Sequence, residues 1–307
     1  MSMLIKQCRR IARQMLDSQQ ACRRHWMCRW RRRRITNMLA RNREHRFYDD
    51  EMLFERLQMR YRGQGEYGYD AFASFTRGAE RTGRLIERVG FQEPGRKILD
   101  VGCGDGMMGV VLEAYGHHVT LSDVEDWRDP RSKGIPFVGT SAERLDATAD
   151  HGPFDLVCSY NAFEHFEDPA VVLGHAVAML KPGGFFYAEF GPLYAGAWGL
   201  HAYRSLHMPY PQFLFSPAFI DDKLRAIGIR DLGKDCDVLQ PMNQWRLKQF
   251  SRIWRESGCE IDHYETGIDE RFLDLILRYR HAFAGLDLTY EDLTTKHIAV
   301  TLKKPAV

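Results

Sequence analysis

At 307 residues, 44% of them hydrophobic, the chain can bury a full core as one large domain or as one domain with additions. It has no run of about 18 apolar residues, which excludes a membrane-spanning helix, and no apolar N-terminal stretch of the kind a secretory leader needs. The seven cysteines, Cys8, Cys22, Cys28, Cys103, Cys158, Cys236 and Cys259, are odd in number and scattered. They read as reduced thiols, and a cytoplasmic location is expected.

The net charge of +2 conceals an asymmetry. Residues 1–46 carry thirteen Arg and one Lys against Asp17 and Glu44, a net of +12, so the other 261 residues carry −10. A basic N-terminal arm and linker over 1–62 is expected to precede a globular domain over 63–307. Within the arm, "CRRHWMCRWRRRR" (22–34) interleaves arginine with tryptophan. Such a segment suits nucleic acid or an anionic membrane surface. It also suits no function at all, since Met27, Met38 and Met52 offer later starts. Cys22-x-x-His25-x-x-Cys28 lacks a fourth ligand and is not read as a zinc site.

From Gly90 onward, strands alternate with helices. "KILDVGC" (97–103) is an apolar run of strand length. Met108, Val111, Leu112 and Tyr115 then recur on one helical face, and Gly116 stands where a helix ends. "HVTLSD" (118–123), "IPFVGT" (135–140), "FDLVCSY" (154–160) and "GFFYAEF" (184–190) read as further strands. Between the last two, a helix is expected from Pro169 to Leu180, with Pro at its first turn and "KPGG" (181–184) as its end. This alternation predicts a parallel sheet covered on both faces.

Residues 191–243 break the rhythm with five prolines, many aromatics, and His201 and His207. Leu247, Phe250, Ile253 and Trp254 restore helical spacing, with Gly258 as the stop. "CEIDHYE" (259–265) and "KHIAVTLKK" (296–304) read as final strands, with a helix around 269–283 between them.

The turn "ILDVGCGDG" (98–106) carries the chemistry. A dinucleotide fold wants G-x-G-x-x-G, so that bare N–H groups meet a pyrophosphate. Here Met107 occupies the third glycine's place, and Asp100 and Asp105 flank the turn. Carboxylates would repel a pyrophosphate and suit a ligand that carries positive charge. S-adenosylmethionine is such a ligand, with an ammonium, a sulfonium and no phosphate. Asp123, at the end of the second strand, is placed to accept ribose hydroxyls.

"ILDVGCGDG", "VTLSD", "GTSAERL", "FDLVCSYNAFEHFEDP" and "LKPGG" resemble, in order and spacing, the class I S-adenosylmethionine-dependent methyltransferases, in particular the type 11 group. The resemblance covers roughly residues 95–190 well. It implies a Rossmann-like, seven-stranded, mostly parallel α/β sheet flanked by helices, with an antiparallel last strand and a substrate-side lid at 191–243. It also implies that Asp100, Gly102 and Gly104 line the methionine part of the cofactor, that Asp123 holds the ribose, and that Ser141, Ala142 and Glu143 lie beside the adenine. Tyr160 and Asn161 would sit under the methionine moiety. Cys103 and Val124, adjoining these positions, are counted with the cofactor contacts, although Cys103 and Cys158 also suit the role of small buried hydrophobes. Asp105 serves equally as a ligand contact or as a helix N-terminal acid.

For the acceptor side, Glu164 and His165 follow the fourth strand, where a base could take a hydroxyl proton. In some relatives an E-x-x-E-H pattern there binds a metal. Asn161 stands in place of the first Glu, so no metal is expected. His201 and His207 join Glu164 and His165 as catalytic candidates if the lid closes over the acceptor. Enzymes that methylate base amino groups resemble one another in an Asn/Asp-Pro-Pro-aromatic sequence, where this chain has Ser159-Tyr160-Asn161-Ala162. The expected reaction is therefore in-line transfer of methyl to an oxygen of a small-molecule, saccharide or lipid-precursor acceptor. Membrane-surface contact through the arm is expected rather than nucleic acid. The competing readings are an RNA methyltransferase and a non-catalytic cofactor-binding module.

Overall fold

The computed structural model describes residues 29–41, 44–62, 68, 70–231 and 234–306. The Cys22–His25–Cys28 cluster and the first part of the arginine tract lie outside these residues. Helix α1 spans 29–39, α2 Glu51–Arg60 and α3 Ala71–Val89. Strand β1 (Lys97–Val101) leads into α4 (Met107–Ala114), followed by β2 (His118–Asp123), β3 (Phe137–Gly139) and β4 (Phe154–Tyr160). Helix α5 (Pro169–Met179) then feeds β5 (Leu180–Phe190). The insertion holds α6 (Pro211–Leu214), α7 (Pro217–Ile227) and a small hairpin of β6 (Ile229–Asp231) and β7 (Lys234–Cys236). The chain ends with α8 (Leu247–Glu256), β8 (Glu260–Ile268), α9 (Leu273–Arg278), α10 (Tyr290–Thr294) and β9 (Thr295–Lys303).

The main sheet has the order β3-β2-β1-β4-β5-β9-β8. Its first five strands are parallel, and β9 runs antiparallel to both β5 and β8. The strand order reverses between β1 and β4. In sheets of this kind ligands lie beyond the carboxyl ends of the strands at that reversal, which is where the glycine turn and the Glu164-His165 segment emerge.

Strand alternation divides the β1 and β4 side chains between two cores. Ile98 and Leu156 face α3 and α4, with Leu85, Leu112 and Leu121. Leu99 and Val157 face the other layer, with Phe163, Phe186, Phe250 and Trp254. A third core lies in a cap. There Ile35 of α1 and Leu53, Phe54 and Leu57 of α2 pack with Tyr210, Phe215, Ile276 and Phe283. The segment expected as linker is thus built into the cap. The Tyr48 N–H donates to Leu214 O at 2.7 Å, and the Arg46 N–H to His281 O at 3.0 Å. Arg31 and Arg32 of α1 pair with Asp274 and Glu291.

Other elements differ from the sequence expectation in local ways. β5 starts at Leu180, because Lys181–Gly184 continues the strand through Gly183 at φ 77° with a register shift against β4. The helix expected over 269–283 is α9 followed by one 3-10 turn, Arg280–Ala282. Helix α3 has no counterpart in the apolar pattern. Its buried face is Ser74, Gly78, Thr82, Leu85 and Val89, mostly small or polar. Gly78 allows α4 to approach, since a Cβ there would lie 2.7 Å from the Met107 carbonyl.

Candidate active site

The glycine turn leaves β1 in the left-handed region that glycine alone adopts freely. Gly102 has φ 71° and Gly104 φ 54°. The N–H groups of Gly102 and Cys103 both donate to Ser122 O on β2. A Cβ on Gly102 would lie 2.6 Å from Ala162 Cβ, whereas one on Gly104 would meet nothing within 4 Å. The backbone at Gly104 therefore faces open space.

Asp123 closes the turn from β2. Its Oδ2 accepts the Gly104 N–H at 2.9 Å, and its Oδ1 accepts the Val124 N–H at 2.8 Å. The Val124 side chain is exposed. Burial raises the Asp123 carboxyl above its ordinary value, opposed by these backbone donors.

The two turn carboxylates differ. Asp105 Oδ1 accepts the Met107 N–H at 3.1 Å, and its Oδ2 pairs with Arg77 of α3 at 3.0 Å. It serves the start of α4 and the docking of α3. Asp100 is buried, and burial pushes its carboxyl up to about 7; the Arg81 charge opposes this shift, while Asp123 and Asp105 add to it. A cation arriving beside Asp100 would recover part of that desolvation cost. Open space at Gly104, a buried acid, and a second acid at the end of β2 fit the sulfonium and ammonium groups of S-adenosylmethionine.

Sequence reasoning missed the helix above this site. The Tyr160 hydroxyl donates to Arg81 O at 3.0 Å, and the Arg81 guanidinium lies 5.4 Å from the Tyr160 ring centroid. Arg84 pairs with Glu189 at 3.2 Å. Asn161 sits at φ 49°, a conformation asparagine tolerates, with its N–H on Glu189 O. On the adenine side, Ser141 O accepts the Arg144 N–H and Ala142 packs on the core. Glu143 Oε1 accepts the N–H groups of Glu167 and Asp168, so this carboxylate ties down the entry to α5. Cys103 and Cys158 are buried, and burial pushes both thiols up.

Beyond β4, three acceptor-side candidates converge. Glu164, His165 and His201 each offer a donor atom within 4.8 Å of the others. The rings of His165 and His201 meet edge-on, with centroids 4.9 Å apart. Each imidazole has one nitrogen engaged by a backbone carbonyl. His165 Nδ1 lies 2.8 Å from Pro241 O, and His201 Nε2 lies 2.9 Å from Pro192 O. A carbonyl only accepts, so the engaged nitrogens carry the protons. When the ring is neutral, the other nitrogen, Nε2 in His165 and Nδ1 in His201, carries a lone pair. Burial, and then the neighbouring His165, lower the His201 value to about 3, which keeps it neutral.

Glu164 is 1% exposed. Its Oε1 accepts the Gly191 N–H at 3.0 Å, while Oε2 is buried without a partner. Burial raises its carboxyl above the ordinary range, with His165 opposing. Asn243, at the end of the insertion, holds this corner in place. Its Nδ2 donates to Phe163 O and Phe166 O, and its N–H donates to Glu164 O. No sequence pattern marked it.

His207 stays outside the cluster. Its N–H donates to Gln58 Oε1 of α2, and Gln58 Nε2 donates in turn to Ser205 O. Most of the insertion's aromatics are also spent on packing: Trp198, Tyr210, Phe213 and Phe215 belong to the cap core, leaving Tyr194 and Tyr203 half-buried.

The family model of the methyltransferase domain matches residues 72–264, well over half of the chain. Curated relatives named ubiquinone biosynthesis O-methyltransferase include that of Xylella fastidiosa, 31% identical over 158 residues, which are 44% of this chain and 62% of the relative. That of Marinobacter nauticus is 32% identical over 118 residues, 36% of this chain and 49% of the relative. The chain thus spans less than two thirds of the length of these relatives. Among solved structures, the magnesium protoporphyrin IX methyltransferase of Synechocystis with bound S-adenosylhomocysteine is 14% identical at a TM-score of 0.44, covering 84% of this chain and 96% of its own. With the turn, the acid at the end of β2 and the sheet order in agreement with the family match, the chain belongs to the S-adenosylmethionine-dependent methyltransferases.

Proposed function

We propose that this enzyme methylates a hydroxyl oxygen of a small-molecule acceptor, and that Glu164, His165 and His201 activate that hydroxyl and draw off its proton. The observation that carries the reading is the convergence of three proton-handling groups past β4, with each imidazole held at one nitrogen by a backbone carbonyl. An amine that arrives neutral needs little beyond alignment, whereas an alcohol or phenol must lose a proton as the oxygen attacks. The relatives' printed name, with oxygen as the methylated atom, supports the same choice.

The cofactor supplies an electrophilic methyl group on a sulfonium that leaves readily. The rest is done by the chain. Asp100 and Asp123 hold the cationic and ribose ends against the Gly102–Gly104 backbone, with Ser141, Ala142 and Glu143 bordering the adenine. Tyr160 and Asn161 form the floor between the cofactor and acceptor pockets. The cap excludes water from the acceptor, and the cluster receives the proton as the new oxygen–carbon bond forms. Cofactor is held on the β1–β2 side and the acceptor on the β4–insertion side, so the two meet across the strand reversal.

The test is methyl transfer from labelled cofactor to a panel of phenols and alcohols, comparing the parent with His165→Ala and His201→Ala. Loss of turnover with unchanged cofactor affinity supports the reading. Full turnover in both variants contradicts it.

A further inference from the structure

The cluster past β4 has the donor types of a metal centre, each held by a backbone contact. Glu164, His165 and His201 supply one carboxylate and two imidazoles, with donor atoms within 4.8 Å of one another. Two neutral imidazoles and one carboxylate form a common ligand set for first-row divalent cations, leaving positions open for other ligands. The outer contacts are of the kind ligating histidines make, in which the second nitrogen donates to a carbonyl and so fixes the tautomer and aims the first. Pro241 O holds Nδ1 of His165, and Pro192 O holds Nε2 of His201. The Gly191 N–H does the equivalent for Glu164 by engaging Oε1.

An independent sign is Glu164 Oε2. It is buried and has no partner, on a side chain 1% exposed. Buried carboxylate oxygens are ordinarily paired or metal-bound, because an unmet one is costly. The sequence argued against a metal, since Asn161 replaces an acid in the relatives' pattern. Asn161 takes no part in the cluster. The third donor comes instead from His201 in the insertion, at φ 58°, which no local sequence pattern could reveal.

We infer that Glu164, His165 and His201 bind one divalent transition-metal cation, such as Mn2+ or Zn2+, on the acceptor side of the methyl-transfer site. Cation binding stands on this geometry alone; its use in transfer rests on the O-methylation reading above. There the cation would bind the acceptor oxygen and make its proton easier to lose. With the cation bound the proton would pass to water, and with the site empty the imidazoles would take it directly, so both routes run through the same three residues.

The test uses Co2+ as the probe, titrated into chelator-treated full-length protein and followed by its visible ligand-field spectrum, with competition by Zn2+, Mn2+ and Mg2+. The expected result is one cation per chain in a nitrogen- and oxygen-ligated spectrum. Zn2+ should displace it, while Mg2+ competes at least tenfold more weakly. Glu164→Gln and His201→Ala should each lower Co2+ affinity by tenfold or more while keeping S-adenosylhomocysteine affinity, which reports the fold. A parent protein that gives no ligand-field bands overturns the inference, whether or not the variants fold. So does a His201→Ala variant that binds cofactor product normally and takes up Co2+ like the parent. Because the readout involves no acceptor, a failed choice of acceptor cannot be mistaken for absence of the site.

Discussion

The Asp123 carboxylate accepts the backbone N–H of Gly104 at 2.9 Å, so the acid at the end of β2 also fixes the turn at the end of β1. With Asp123 on the ribose and the turn on the methionine part, as proposed, one hydrogen bond would join the two subsites. Asp123→Ala should remove a ribose ligand and loosen the turn together. With hydrogen bonds to charged groups contributing roughly 1.5–3 kcal/mol each, calorimetry should show cofactor affinity falling by roughly tenfold to a hundredfold. Unchanged affinity would remove Asp123 from the site.

Asp100 gives the site a pH dependence. Its carboxyl is held up at about 7 by burial, with Arg81, Asp105 and Asp123 as the facing charges. The ionised form is the one that attracts a cation. Cofactor binding should therefore weaken as pH falls through about 7 and approach a plateau above it, by up to roughly tenfold per pH unit on the acid side. Asp100→Asn should bind more weakly at pH 8 and show a flatter profile. A parent profile matching that of the Asn variant would separate Asp100 from the cofactor.

The acceptor cluster should affect turnover rather than cofactor affinity. His165→Ala and His201→Ala are each expected to lower kcat by roughly 10²- to 10⁴-fold, the usual range for assisted proton transfer. His207→Ala should leave kcat nearly unchanged, because His207 stands apart on Gln58. Steady-state kinetics at saturating cofactor distinguishes these outcomes.

Helices α1 and α2 should matter for stability. Ile35 and Leu57 are 0% and 3% exposed in the cap core, so truncating either to Ala should cost about 2–5 kcal/mol. Chemical denaturation would show this as a lowered midpoint. Removal of residues 1–62 should expose the cap core and promote aggregation. If the truncated chain unfolds at the parent's midpoint, these helices are not part of the cap.

The turn and the acid assigned to the cofactor could be read together because their information is local. A strand, a glycine turn and an acid at the next strand end are set by short stretches, and parallel pairing of β1 with β2 brings them together. The acceptor half depends on long-range closure. Glu164 and His165 could be picked out as candidates, but only the folded insertion decides between His201 and His207, and Asn243 reveals its role through hydrogen bonds to Phe163 and Phe166. Helix α3 escaped notice because much of its buried face is small or polar, so it lacks the large apolar residues by which the helix after β1 was read. The segment at 44–61 was hidden by charge. Its three arginines and five acids dilute the three buried residues Leu53, Phe54 and Leu57 that seat α2.

The central claim, transfer of methyl to oxygen, is tested most directly by where the methyl carbon ends up. The enzyme would be incubated with S-adenosylmethionine carrying a 13C-labelled methyl and a fractionated lysate, and each fraction examined by carbon NMR. The expected result is a new methoxy signal in the small-molecule fraction, absent with His201→Ala. An N-methyl signal, or label confined to the macromolecular fraction, would contradict it.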